Sequence, residues 1–108
     1  MDYRLLGEFF QLMAKKGISQ AILSPGSRSA PLALCAARHP QIETLVVPDE
    51  RSAGYTALGL ANASGKPVAL ICTSGTATLN YAPAVAEAFY GEVPLLVLTA
   101  DRPPEWID

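Results

Sequence analysis

Residues 66–80 read KPVALICTSGTATLN. Val68 to Cys72 form an unbroken apolar run, small and hydroxyl residues follow, and an Ala-rich helical stretch then extends over 76–90. A strand with one wet face alternates apolar and polar residues, whereas an unbroken run is the signature of a strand covered on both faces. The same pattern recurs at Ala21 to Leu23, Thr44 to Val47 and Leu95 to Leu98. Helical patterns lie between and before these runs. Leu5, Leu6, Phe9, Phe10 and Met13 recur at helical spacing, Lys15, Lys16 and Gly17 close that segment, and further helical stretches cover 30–38 and 51–63. Strands alternating with helices predict a parallel sheet with right-handed crossovers. The expected fold is α/β, a doubly wound parallel sheet with helices on both faces, in one domain over 1–108.

Composition narrows the function classes. Lys and Arg total 8 and are scattered, and the net charge is -2, so no basic stripe tracks a nucleic acid backbone. No apolar run approaches the roughly 20 residues of a spanning helix, and MDYRLLGEFFQ lacks the basic start and long apolar middle of a signal peptide. A cytoplasmic protein with no membrane span is expected. Cys35 and Cys72 sit in apolar segments without a CxxC pair, and His39 is the single histidine, so buried free thiols are expected and a zinc site is not. His39, beside Pro40, is expected to cap a helix end.

In an open parallel sheet the segments that follow the strands gather at one edge, where ligands bind. Here those segments are SPGSRS (24–29), PDERS (48–52), TSGTAT (73–78) and TADRPPE (99–105). They hold Arg28, Arg51 and Arg102 together with Asp49, Glu50 and Asp101. Ser27, Ser29, Asp49 and Ser74 also suit helix N-caps, and Glu50 suits a helix first turn, so capping alone explains part of this rim. Arg51 reads as a solvated charge. Arg28 lies in a Gly-containing turn where backbone donors and a guanidinium converge on an anion. Arg102 pairs with Asp101 or reaches a ligand. Ala53, Ala57 and Ala61, with Gly54 and Gly59, mark close helix packing or a subunit interface. Neither GxxxxGK[ST], nor GxGxxG after a strand, nor GxSxG occurs.

The segments SPGSRSAPL, PDERSAG, VALICTSGTATLNYAPAVAEA and VPLLVLTADRPPE, in that order, resemble the N-terminal part of the 2-succinyl-5-enolpyruvyl-6-hydroxy-3-cyclohexene-1-carboxylate synthases, thiamine-diphosphate enzymes of menaquinone biosynthesis. The resemblance spans nearly the whole chain and implies the pyrimidine-binding domain of such an enzyme, truncated. It implies that Glu50 hydrogen-bonds N1' of the cofactor's aminopyrimidine and controls the proton there. By the same resemblance Ser74, Gly75 and Thr76 line the cofactor pocket, while Ser27, Arg28 and Arg102 face the substrates, 2-oxoglutarate and isochorismate. Both substrates are dicarboxylates, which a rim with several guanidinium groups suits. Mg²⁺ and the diphosphate are implied on a separate C-terminal domain, through a GDG motif that this chain lacks. The expectation is therefore a piece carrying half a site, without metal ligands and inactive alone, from a homo-oligomer whose active sites lie between subunits. The alternative is a stand-alone, non-catalytic α/β module that binds a small anionic metabolite.

Overall fold

The structure, a computed structural model, describes residues 2–106. The outer ends of the expected 1–108 domain, residues 1 and 107–108, lie outside the described residues. Helix α1 (Tyr3–Lys15) starts at Asp2, whose carboxylate accepts from the Arg4 and Leu5 amides at 3.0 and 3.3 Å. Its apolar stripe buries Phe10, and Gly17, at φ 100, makes the left-handed turn that lets the chain enter β1 (Gln20–Leu23). Helix α2 (Ala30–Arg38) leads to β2 (Glu43–Val46), and α3 (Glu50–Ser64) ends on Gly65 at φ 72 before β3 (Val68–Cys72). Short α4 (Thr76–Leu79), then α5 (Ala82–Gly91), precede β4 (Leu95–Thr99) and a 3-10 turn at Pro104–Trp106.

All strand pairs are parallel, in the order β2-β1-β3-β4, with Ile22 opposite Leu45 on one side and Leu70 on the other. Side chains alternate across the sheet. Ala21, Leu23, Ala69 and Ile71 point to the face covered by α1 and α2, where Phe10, Ile18, Ala36 and Ile42 complete the core. Ile22, Val68, Leu70 and Cys72 point to the other face, against Ala53, Ala57 and Ala61 of α3 and against Tyr81. The expected doubly wound α/β architecture is present.

Two expectations need correction. Unbroken apolar runs were to mark strands covered on both faces, and this holds for β1 and β3 alone. In β2, Leu45 and Val46 are 49% and 55% exposed, and β4 is half-buried for most of its length. Both are edge strands of the sheet, where the helix layers end. The helix expected over 76–90 is broken into α4 and α5. Pro83 sits in the first turn of α5 and has no N–H to offer the Leu79 carbonyl, so the hydrogen-bond ladder cannot run through. The Asn80 amide side chain bonds the Thr76 carbonyl at 2.9 Å and closes α4 instead.

The alanine stripe is core packing. Ala53, Ala57 and Ala61 are fully buried within the chain, which removes them from any subunit interface. Gly54 belongs with them, because a Cβ there would lie 2.9 Å from Ala84 Cβ of α5, whereas nothing lies within 4 Å of one at Gly59. Gly54→Val is accordingly expected to destabilise the fold by about 1–3 kcal/mol through overpacking, read by chemical denaturation. Unchanged stability would show that α5 moves aside freely.

Candidate functional site

The strands end together. Leu23 is level with Val46 and Ile71, and Cys72 with Thr99, so the four segments that follow share one edge of the sheet. The chain runs from β1 to β2 on one side, then returns to place β3 on the other, which makes the β1/β3 boundary the switch point of the topology.

Short-range contacts draw the segments together at that boundary. Ser24 is buried, its N–H donates to the Ile71 carbonyl at 2.9 Å, and its hydroxyl donates to the Val47 carbonyl at 2.7 Å. Gly26 lies so close to β3 that a Cβ would fall 2.5 Å from Thr73 Cβ, so only glycine fits while Thr73 keeps its place. The Ala100 amide donates to the Cys72 carbonyl at 3.1 Å and brings in the segment after β4.

Within PDERS the three charged residues have different surroundings. Asp49 caps α3, accepting from the Ser52 amide at 2.9 Å and the Ser52 hydroxyl at 2.8 Å. These bonds, with a smaller contribution from Arg51, hold its carboxyl below the usual carboxylate range. Arg51 is exposed. Glu50, the first residue of α3, is half-buried, and among the described residues no group hydrogen-bonds its carboxylate. Burial raises the Cys72 thiol and the Tyr81 hydroxyl, and the Glu50 charge adds a small push in the same direction.

Of the serines expected as caps, the others do different work. Ser29 is at the N-cap position of α2, yet its hydroxyl donates to the Gly26 carbonyl at 3.1 Å and tightens the turn. Ser27 is exposed and accepts from Arg28 Nη1 at 3.1 Å. Ser74 is half-buried, and Gly75 takes the N-cap position of α4 at φ 78, ψ -139, a backbone region open to glycine. Thr76, the next residue, is exposed.

Arg28 is half-buried, with its guanidinium carbon 4.8 Å from the centre of the Trp106 ring. Its buried Nε has no partner among the described residues. Arg102 is exposed; its amide donates to Asp101 Oδ1 at 2.7 Å, so Asp101 stiffens the loop through the backbone, and no ion pair of the Arg102 side chain is present among the described residues. Of the three rim guanidinium groups, that of Arg28 is stacked on Trp106, while Arg51 and Arg102 are exposed.

Sequence reasoning missed two residues here. Trp106 is one. The other is Tyr81, 1% exposed, whose hydroxyl lies near the Ser24 hydroxyl and the Cys72 thiol without a well-formed hydrogen bond to either. A tyrosine in the Ala-rich stretch LNYAPAVAEA was the available signal. Burial pushes both the Tyr81 hydroxyl and the Cys72 thiol upward, so each stays protonated.

Other expected features lie elsewhere. His39 is at the C-cap of α2, before β2 and so at the opposite edge of the sheet. Its Nδ1 accepts from the Gln41 amide at 3.1 Å, which leaves the proton on Nε2 for Gln11 Oε1 at 2.7 Å. Both cysteines are free, but Cys35 is half-buried where full burial was expected. Among the described residues no cluster of three or more His, Cys, Asp or Glu is placed to hold a metal ion, and no helix is long and apolar enough to cross a membrane.

The profile of the family described as "Thiamine pyrophosphate enzyme, N-terminal TPP binding domain" matches residues 7–108. The chain is 58% identical over 107 residues to the 2-succinyl-5-enolpyruvyl-6-hydroxy-3-cyclohexene-1-carboxylate synthase of Porphyromonas gingivalis, covering 99% of this chain and 18% of that protein. It is 59% identical over 104 residues to the synthase of the same name from Listeria monocytogenes, covering 96% and 18%. The Cytophaga hutchinsonii synthase is 55% identical over 98 residues, covering 91% and 18%. The chain thus spans less than a fifth of the length of these relatives.

Proposed function

The chain belongs to the thiamine pyrophosphate enzymes, through their N-terminal TPP binding domain, and from that premise we propose that it serves a synthase that decarboxylates 2-oxoglutarate and adds the resulting four-carbon unit to isochorismate. The relatives that carry the synthase name, at 55% to 59% identity, support this reading. The observation that carries it is Glu50. A half-buried carboxylate with no hydrogen-bond partner among the described residues stands at the ligand-binding edge, the same edge that carries Gly75.

These residues fit the aminopyrimidine half of the cofactor. Glu50 can hydrogen-bond a protonatable ring nitrogen and hold or release a proton there, because its lone pairs are not spent on the cap that Asp49 provides. Gly75, having no side chain, lets the backbone approach the ring, with Ser74 and Thr76 beside it. Among the described residues no side-chain cluster fits Mg²⁺, and we assign the metal and the diphosphate to a different domain of the complete enzyme. When bound, thiamine diphosphate supplies the electron sink for decarboxylation of a 2-oxo acid.

Ser27, Arg28 and Arg102 hold substrate carboxylates. A guanidinium grips a carboxylate through two parallel bonds, and the Trp106 stack keeps Arg28 in one orientation for it. Apolar surface on α5, including Phe89 at 76% and Tyr90 at 84% exposure, fits a homo-oligomer with sites shared between subunits. Two free thiols accord with a cytoplasmic setting.

CO₂ release from 2-oxoglutarate tests this division of labour. The 108-residue chain with thiamine diphosphate and Mg²⁺ is expected to release none, and the complete enzyme to release CO₂ and transfer the remaining unit to isochorismate. Substantial release by the chain alone would contradict the proposal.

A further inference from the structure

Strand β1 runs out into a serine and a proline. Ser24 is 1% exposed, and its amide donates to the Ile71 carbonyl of β3 at 2.9 Å; on the β2 side the Val47 amide donates to the Leu23 carbonyl, also at 2.9 Å. In a parallel ladder, alternate residues of one strand bond both ways to residues of its neighbour. Leu23 stands opposite Val46, so the next rung would run from the amide of residue 25 to the Val47 carbonyl. That residue is Pro25, which has no N–H. The Ser24 hydroxyl takes its place, donating to the Val47 carbonyl at 2.7 Å, and among the described residues no backbone amide reaches that carbonyl.

This substitute rung lies three residues ahead of Glu50. Between them Pro48 has a fixed φ, and Asp49 is held by the Ser52 amide and hydroxyl at 2.9 and 2.8 Å, while its carbonyl accepts from the Ala53 amide at 2.8 Å. Each residue from Val47 to Asp49 is therefore restrained, and the chain enters α3 along one path. On the other side of the rung, Pro25 and Gly26 lead to Arg28, with Gly26 set against Thr73 too closely for a Cβ. One buried hydroxyl ties the segment of Arg28 to the segment of Glu50.

We propose that Ser24 is a positioning residue for Glu50: its hydroxyl replaces the amide that Pro25 lacks, and its bond to the Val47 carbonyl fixes where the Glu50 carboxylate stands relative to the cofactor's ring nitrogen. The proposal rests on the role given to Glu50 above. Ser24 is buried, so it acts through the backbone and not by touching a ligand.

Ser24→Ala in the complete enzyme removes the donor and leaves the Val47 carbonyl bare. Without cofactor, the variant is expected to melt at a lower temperature than wild type, because that carbonyl has lost its hydrogen bond. With thiamine diphosphate saturating, and far below the melting temperature, exchange of the cofactor's C2 proton for deuterium is expected to slow about 10-fold to 100-fold, the scale of a small displacement of a reacting group. Cofactor affinity should barely change. Lost folding stability by itself would move only the melting.

Pro25→Ala supplies the sharper comparison, since it returns an N–H at the ladder position. Alone it is expected to leave exchange near wild type, because Ser24 still donates; slow exchange there would place the restraint in the proline ring and overturn the proposal. Combined with Ser24→Ala, it is expected to recover most of the lost exchange rate and of the lost melting temperature. A double variant no faster than Ser24→Ala would assign the effect to packing of the serine and would also overturn the proposal. Slow exchange in Glu50→Gln with wild-type exchange in Ser24→Ala overturns the positioning role alone. Wild-type exchange in Glu50→Gln sinks the role of Glu50 and this inference with it.

Discussion

Glu50→Gln in the complete enzyme is expected to lower turnover by about 10²-fold to 10⁴-fold while thiamine diphosphate still binds. The amide matches the carboxylate in size and can hydrogen-bond, but it cannot hold or release a proton at a ring nitrogen. The fold should tolerate the change, because α3 is capped by Asp49 through Ser52 and Glu50 takes no part in that cap. Steady-state rates at saturating cofactor provide the check. Turnover near wild type would mean that the carboxylate is a first-turn charge placed for the helix dipole and nothing more.

Arg28→Ala is expected to cost about 10-fold to 150-fold in kcat/KM for the dicarboxylate substrates, the range of a lost charge-assisted hydrogen bond. Cofactor affinity should barely change. Arg28 is held in place from three sides: Ser27 accepts from Nη1, Trp106 stacks on the guanidinium, and the turn around it is pinned by the Ser29 to Gly26 bond. Such an arrangement reduces the rotamer freedom that binding must otherwise remove. Arg102→Ala should fall in the same class. Its side chain is exposed, so part of its ordering occurs on binding and the loss belongs toward the lower end of that range. Arg51→Ala is the comparison. Kinetics in which Arg51 is the most damaging of the three would reverse this assignment.

Much of the fold was legible because its centre is simple. Strands β1 and β3 carry unbroken apolar runs and are the two strands with neighbours on both sides. The run at Thr44 to Val47 looks alike in sequence but belongs to an edge strand, and strand order is a tertiary fact that local composition does not encode. The break between α4 and α5 was marked by Pro83, and the Ala-rich pattern around it hid the mark. Caps were legible only where the partner is local: Asp49 bonds Ser52 three residues on, whereas the Ser29 hydroxyl turns back to Gly26.

At the candidate site, the gathering of four loops follows from strand direction and could be anticipated. What could not be anticipated are contacts between residues distant in sequence. Arg28 meets Trp106 across most of the chain, and Gly26 meets Thr73 because two loops converge at the switch point. Tyr81 looked like one more helical residue. Its near-complete burial appears only once β1, β3 and α3 are packed around it.

The role of Glu50 is tested most directly by proton exchange at C2 of enzyme-bound thiamine diphosphate, followed by quenching and proton NMR. Wild type should exchange quickly, Glu50→Gln far more slowly, and Asp49→Asn close to wild type once corrected for any loss of folded protein. Exchange at the wild-type rate in Glu50→Gln, or a larger loss in Asp49→Asn, would contradict the account and return the charged triplet to a structural cap.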